Sequence, residues 1–98
     1  MIRHIAVFRF KKGTTDNQVA GVDQGLAELP RLIPEIKAYE FGRSLRYVEG
    51  TWDYAVAADF DDESAFKIYD SHPDHVRVVE TVIKPLVIDK ARIQINVG

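Results

Sequence analysis

Apolar and polar positions along this chain switch between a strand period of two and a helical period near 3.6, and the switches mark its elements. From about Arg3 to Phe10 a branched and aromatic run ends in Lys11-Lys12-Gly13, the pattern of a buried strand followed by a turn. Thr15-Asp16-Asn17-Gln18 has capping-box spacing, and Val19, Val22, Leu26 and Leu29 then recur at helical intervals, predicting a first helix that stops near Pro30. Gly21 and Gly25 lie inside it, each about 1 kcal/mol less favourable than alanine, and close packing is the simplest reason for them. Ile36 to Phe41 predicts a second strand ending before Gly42, and Trp52 to Phe60, nearly continuous in apolar residues, a third. Asp61 and Asp62 are natural N-caps for a helix carrying Ala65, Phe66 and Tyr69, which ends before Pro73. Pro73 suits the first position of a last helix, with Val76, Val79, Ile83 and Leu86 on one face and Pro85 ending it. Ala91 to Val97 then alternates as a final strand.

The resulting order, β-α-β-β-α-β, is the split βαβ or ferredoxin-like α+β arrangement, a four-stranded antiparallel sheet with the helices on one face. Such a sheet should be polar on its other face. Here the first strand offers His4, Ala6, Phe8 and Phe10 on one side and Ile5 and Val7 on the other, and Ala55 to Ala58 hardly alternates. An apolar face of that size on a small monomer needs a cover, and a second copy of the chain is the simplest one, so a homodimer through the sheet face is expected.

Composition narrows the classes. Ninety-eight residues without a Gly/Ser-rich or Pro-rich linker predict a single domain spanning 1–98. Thirteen Lys and Arg against fifteen Asp and Glu, spread evenly, give a net charge of −2 and no basic block for nucleic acid. No cysteine is present, which removes disulfides, thiolate metal sites and a cysteine nucleophile. The apolar start is too short and too interrupted by charge for a signal or membrane segment, so a cytoplasmic protein with no membrane partner is expected.

The chemistry-bearing stretch is Tyr69-Asp70-Ser71-His72-Pro73-Asp74-His75, at the junction of the last two helices. His4 shares the side-chain parity of Ala6 and Phe8 and approaches the same place if that face meets the helices. His75 in a first helical turn feels the positive end of the dipole, which favours neutral imidazole, whereas Asp70 and Asp74 pull the other way. A neutral His75 can serve as base beside a carbonyl while the Tyr69 phenol stabilises the developing oxyanion; alternatively both residues simply hold the helix junction. His4, His72 and His75 with an aspartate include metal-ligand types, but the spacing is nonspecific and neither metal nor cofactor is expected. Arg43, Arg46 and Tyr47 with Lys11 and Lys12 offer an anion a surface that is more simply read as solvated loop. No phosphate-binding glycine loop, nucleophile elbow or dinucleotide fingerprint occurs.

His4-Ile5-Ala6-Val7-Phe8-Arg9-Phe10, Leu29 to Ile36 running on to Gly42, Phe60-Asp61-Asp62, and Tyr69 to His75 with its His-Pro-x-His core occur in one order, and together they resemble the stress-responsive A/B barrel family over nearly the whole chain. The resemblance implies a dimeric α+β barrel with the sheets facing each other and the helices outside. A plant polyketide cyclase of that family carries a tyrosine, a histidine and a second histidine at positions matching Tyr69, His75 and His4, and uses the first two for an aldol condensation. What this implies here is catalysis by His75 and Tyr69 on an unidentified small molecule, in a pocket between helices and sheet near His4, Phe8, Val22, Leu26, Tyr39, Phe41, Val56, His72 and Val79. Val22-Asp23 and Leu26-Ala27 stand where that cyclase has large aromatics, so the resemblance does not extend to its substrate. The resemblance thus implies a cofactor-free lyase or cyclase, with a non-catalytic stress or assembly protein as the alternative and a cofactor-free monooxygenase as a further one.

Overall fold

A computed structural model describes residues 1–98. The first strand, β1 (Ile2–Phe10), buries His4, Ala6 and Phe8 on one face. The helix α1 (Asp16–Leu32) opens as the capping box predicts: the Gln18 amide donates to Thr15 Oγ1 at 3.2 Å and the Thr15 amide to Gln18 Oε1 at 2.9 Å. It does not stop at Pro30, which lies inside it with the last helical residue at Leu32. Proline removes one i→i−4 bond, at about 3 kcal/mol in a helix interior, but the continued turn keeps Leu29 and Ile33 fully buried and lets the Ile33 amide reach the Leu29 carbonyl at 2.9 Å. Burial outweighs the local penalty.

Two strands follow, β2 (Ala38–Arg43) and β3 (Tyr54–Phe60), both shifted from the expected starts. Ile36 turns back onto Ile33 through its amide and sends only its side chain into the core, while the Asp53 amide donates to the Phe8 carbonyl at 2.9 Å before regular pairing begins. Asp62 caps α2 (Glu63–Ser71) by accepting from the Ala65 amide at 2.9 Å. Pro73 opens α3 (Pro73–Val78), which widens into a π-helical turn over Val79–Ile83. Of the expected apolar face, Ile83 and Leu86 are buried and Val79 packs against the core, whereas Val76 is 44% exposed and Val78, five residues before Ile83, takes a buried place. The final strand β4 (Val87–Asn96) begins four residues before the expected Ala91.

The strands form one antiparallel sheet in the order β2-β3-β1-β4, with the helices on one side: a ferredoxin-like α+β fold. Ala6, Phe8, Tyr54, Val56, Ala58 and Phe60 meet Val19, Val22, Leu26 and Leu29 of α1 in one core. Gly25 is needed where α1 crosses the last helical segment, because a Cβ there would stand 3.0 Å from Val78 Cγ1 and 3.3 Å from Val82 Cγ2. On the opposite side, register places Ile93, Ile5 and Ala57 in one cross-strand row and Ala91, Val7 and Ala55 in the next. Ile93 and Ile95 there are 56% and 41% exposed. The next row holds the Arg3–Asp59 pair, bidentate at 2.7 and 2.9 Å, which drops the Asp59 carboxyl below its usual range through the guanidinium's hydrogen bonds.

Candidate active site

The junction between α2 and α3 places three side chains by local chemistry. Tyr69 faces the core from the last turn of α2 and is almost fully buried. His72 ends α2 and caps α3, its Nδ1 accepting from the Asp74 amide at 3.1 Å. His75, one turn further, has Nδ1 3.0 Å from the Asp70 carbonyl oxygen at the end of α2. A carbonyl only accepts, so Nδ1 carries the proton and Nε2 of the neutral ring is the free base. The Tyr69 and His75 rings stack with centroids 4.1 Å apart at 30°.

From the sheet, Tyr39 of β2 brings its hydroxyl to 2.8 Å from the Tyr69 hydroxyl. His4 of β1 lies against Phe66, with the Tyr69 ring centroid 6.3 Å away. Gln94, its register partner on β4, donates Nε2–H to His4 Nδ1 at 2.9 Å, which leaves the proton of a neutral His4 on Nε2. The two histidines are therefore set in opposite tautomers, one presenting a base and the other a donor.

Burial lowers the pKa of His4, and the Arg92 guanidinium lowers it further. Burial also lowers that of His75, outweighing the raising effects of the Asp70 carbonyl and carboxylate, so both rings are neutral at pH 7. The competition between helix dipole and neighbouring aspartates is thus overtaken by desolvation. Tyr69 is pushed up to about 12, chiefly by burial, so it stays a protonated donor. The hydrogen bond from Tyr39 favours charge on the Tyr69 oxygen, and Tyr39 itself is raised by burial beyond any working pH.

His4, Tyr69 and His75 line a cavity of about 550 Å³ bounded by β1, α3, the π-helical turn and β4, with apolar walls from Leu26, Val79 and Ile83. No group of three or more His, Asp or Glu is placed to hold a metal ion. The sequence profile described as Stress responsive A/B Barrel Domain matches residues 2–96. The chain belongs to the stress-responsive A/B barrel family. A curated relative, the stress-response A/B barrel domain-containing protein HS1 of Arabidopsis thaliana, is 27% identical over 94 residues, covering 90% of this chain and 86% of that protein. A dimeric ferredoxin-like protein of unknown function from Thermobifida fusca superposes with a TM-score of 0.90 at 42% identity, covering 98% of this chain and 90% of that one. The hydroxynitrile lyase of Passiflora edulis superposes at 0.85 with 17% identity over 99% of this chain and 93% of that one, a likeness of fold.

Within this A/B barrel domain, the cavity gathers Tyr69, His75, His4, Phe8, Leu26, Val56 and Val79 from the residues singled out by sequence. It does not gather Val22, fully buried in the core, or Tyr39, which stands behind Tyr69. Phe41 packs beside Tyr39, with ring centroids 5.9 Å apart, and His72 Nδ1 is engaged as the helix cap. Sequence reasoning named Asp70 only as a charge acting on His75, and it missed Lys90 and Arg92 on the wall and Gln94 behind His4. Parity gives these β4 residues a shared inward direction, Arg92 and Gln94 within the expected strand and Lys90 once β4 is extended to Val87. The loop cations are engaged elsewhere: Arg43 pairs with Asp16 at 3.0 Å and Arg46 with Asp53. No helix is long and apolar enough to cross a membrane.

Proposed function

We propose that this protein is a homodimer that binds a small carbonyl-bearing molecule between helices and sheet and acts on it without a cofactor, as a lyase or cyclase. His75 Nε2 takes the proton from the carbon beside the carbonyl. The electron pair of that C–H bond becomes the C=C bond of an enolate as the carbonyl π pair moves onto oxygen, and the Tyr69 hydroxyl donates to that oxygen. The enolate C=C pair then forms a bond to a second carbonyl carbon as the first carbonyl re-forms, the second carbonyl's π pair moves onto its oxygen, and the imidazolium returns its proton to that alkoxide. Tyr39, donating to Tyr69, directs the Tyr69 proton outward to the ligand. The observation that carries this reading is the stacked Tyr69–His75 pair on the cavity wall, with His75 Nδ1 spent on the Asp70 carbonyl and Nε2 left free.

The apolar outer rows around Ile5, Val7 and Ile93 support the dimer, as does the dimeric state described for the Thermobifida fusca relative. One observation favours the second reading, a non-catalytic stress or assembly protein: the Tyr69 hydroxyl and His75 Nδ1 both have partners inside the chain, which suffices to pin the helix junction.

A thermal-shift screen of enolisable ketones and β-diketones separates the two, because binding to the folded state raises Tm. The enzyme reading expects hits whose shift disappears in Tyr69→Phe and His75→Ala. Hits indifferent to both substitutions, or a carbonyl panel that shifts nothing, contradict it.

A further inference from the structure

The inner face of β4 is unlike the other strands of the sheet. Where β1 and β3 present Phe8, Ala6, Tyr54 and Val56 to the helices, β4 presents Lys90 opposite Phe8 and Arg92 opposite Ala6. No helix covers these two positions, and both side chains line the cavity that holds Tyr69 and His75. Arg92 meets Asp70 only at 3.9 Å, a loose contact between half-exposed groups. Lys90 has no carboxylate partner; the adjacent Asp89 is held by Arg9 at 3.6 Å and by the Lys90 amide at 2.9 Å. Lys84, the other cation on the wall, is paired with Glu80 at 3.4 Å. The cavity thus has one wall of Leu26, Val79 and Ile83, a reactive corner at Tyr69 and His75, and a cationic edge on β4.

We propose that the ligand of this site is an amphiphilic carboxylate, its anionic group held by Arg92 and Lys90 and its apolar body lying along Leu26, Val79 and Ile83. This rests on the pocket assigned above and names the class of molecule it accepts. Alternate strand residues stand roughly 7 Å apart, so one carboxylate can lie between the Lys90 and Arg92 side chains, and the 3.9 Å contact of Arg92 with Asp70, the neighbour of Tyr69 in sequence, sets this edge beside the reactive corner. A planar guanidinium that meets its only acidic neighbour at 3.9 Å can exchange that contact for a bidentate one with the ligand. Arg92 lines the same cavity as His4 and His75, and its positive charge disfavours protonation of both rings. A bound carboxylate would offset that charge.

Isothermal titration of the intact protein with octanoate, octan-1-ol and methyl octanoate tests this. Octanoate is expected to bind at least about tenfold more tightly than the alcohol or the ester, the size of one charge-assisted bond. Arg92→Gln should erase that preference while leaving the neutral probes unchanged, and Lys90→Gln should reduce it. Asp70→Asn, which removes the competing carboxylate but keeps the backbone carbonyl that holds His75, should tighten octanoate binding about threefold. Opposite signs for Arg92→Gln and Asp70→Asn are not what a merely structural role would give. Equal affinity for acid and ester, or an acid preference that survives Arg92→Gln and Lys90→Gln, overturns the anion assignment and leaves the Tyr69–His75 pocket standing. Failure of all three probes together with failure of the carbonyl panel overturns both.

Discussion

The two faces of one sheet differ less in composition than in what covers them. The inner rows of β1 and β3 are closed by α1 and the helix junction, and Ala58 and Phe60 there are fully buried. The outer rows are just as apolar at Ile5, Val7, Ala55 and Ala57, yet nothing in the chain lies over them, and Ile93 remains more than half exposed. A face that a domain covers itself can hold a cavity and reactive groups against a fixed wall. The other face is suited to assembly. At the sheet's edge runs β4, whose inner side is left open by the helices, and Lys90 and Arg92 stand in that gap on the cavity wall.

The largest expected effect breaks the outer face. Ile5→Lys should abolish association, because an unpaired charge in a dry interface costs several kcal/mol. Sedimentation at micromolar concentration should then fall from twice the 11.1 kDa chain mass to the chain mass. A wild-type protein that sediments as a monomer would show that the outer face is simply solvated. Next come the inner-face groups. Tyr69→Phe should lower turnover of a carbonyl compound by about 10²–10³-fold, as expected for an oxyanion donor, while sedimenting unchanged.

Acid sharpens the contrast further. His4 and His75 both titrate below their ordinary value of 6.5 in the folded state, chiefly through burial. Between that value and the depressed ones the unfolded chain binds more protons, so stability is full above it and falls as pH drops through it. Urea titrations at pH 7.5 and 5.5 should show lower stability at the acid end, and His4→Phe should reduce the difference. The smallest effect lies far from both faces: Thr15→Ala removes the helix cap and should cost about 1 kcal/mol without altering mass or ligand binding.

How much of this was legible in the sequence varies with the range of the interaction. The Thr15–Gln18 box, the Asp62 cap and Pro73 at a helix start are contacts within four residues, and the pattern shows them. Pro30 misleads because its penalty is local while Leu29 and Ile33, on either side, are held by the core. The π-helical turn escapes a 3.6-residue template, since only the packing of Val78 and Ile83 reveals the five-residue step. At the site, Tyr69, His75 and His4 were recognisable as reactive types that could meet. Arg92, Lys90 and Gln94 share an inward parity, but polar residues on an edge strand read as solvated until the gap between helices and β4 is known. Tyr39 was read as a wall of the pocket, and the fold places it behind Tyr69 because β2 is the edge strand farthest from β4.

The most direct measurement of the central claim is the exchange of α-protons of a β-diketone into D₂O, followed by proton NMR with the intact protein. The account predicts exchange well above the buffer rate for the wild type, and a fall to the buffer rate in His75→Ala at unchanged sedimenting mass. Exchange that proceeds equally well in His75→Ala, or a wild type no faster than buffer across the binding carbonyl compounds, would contradict it.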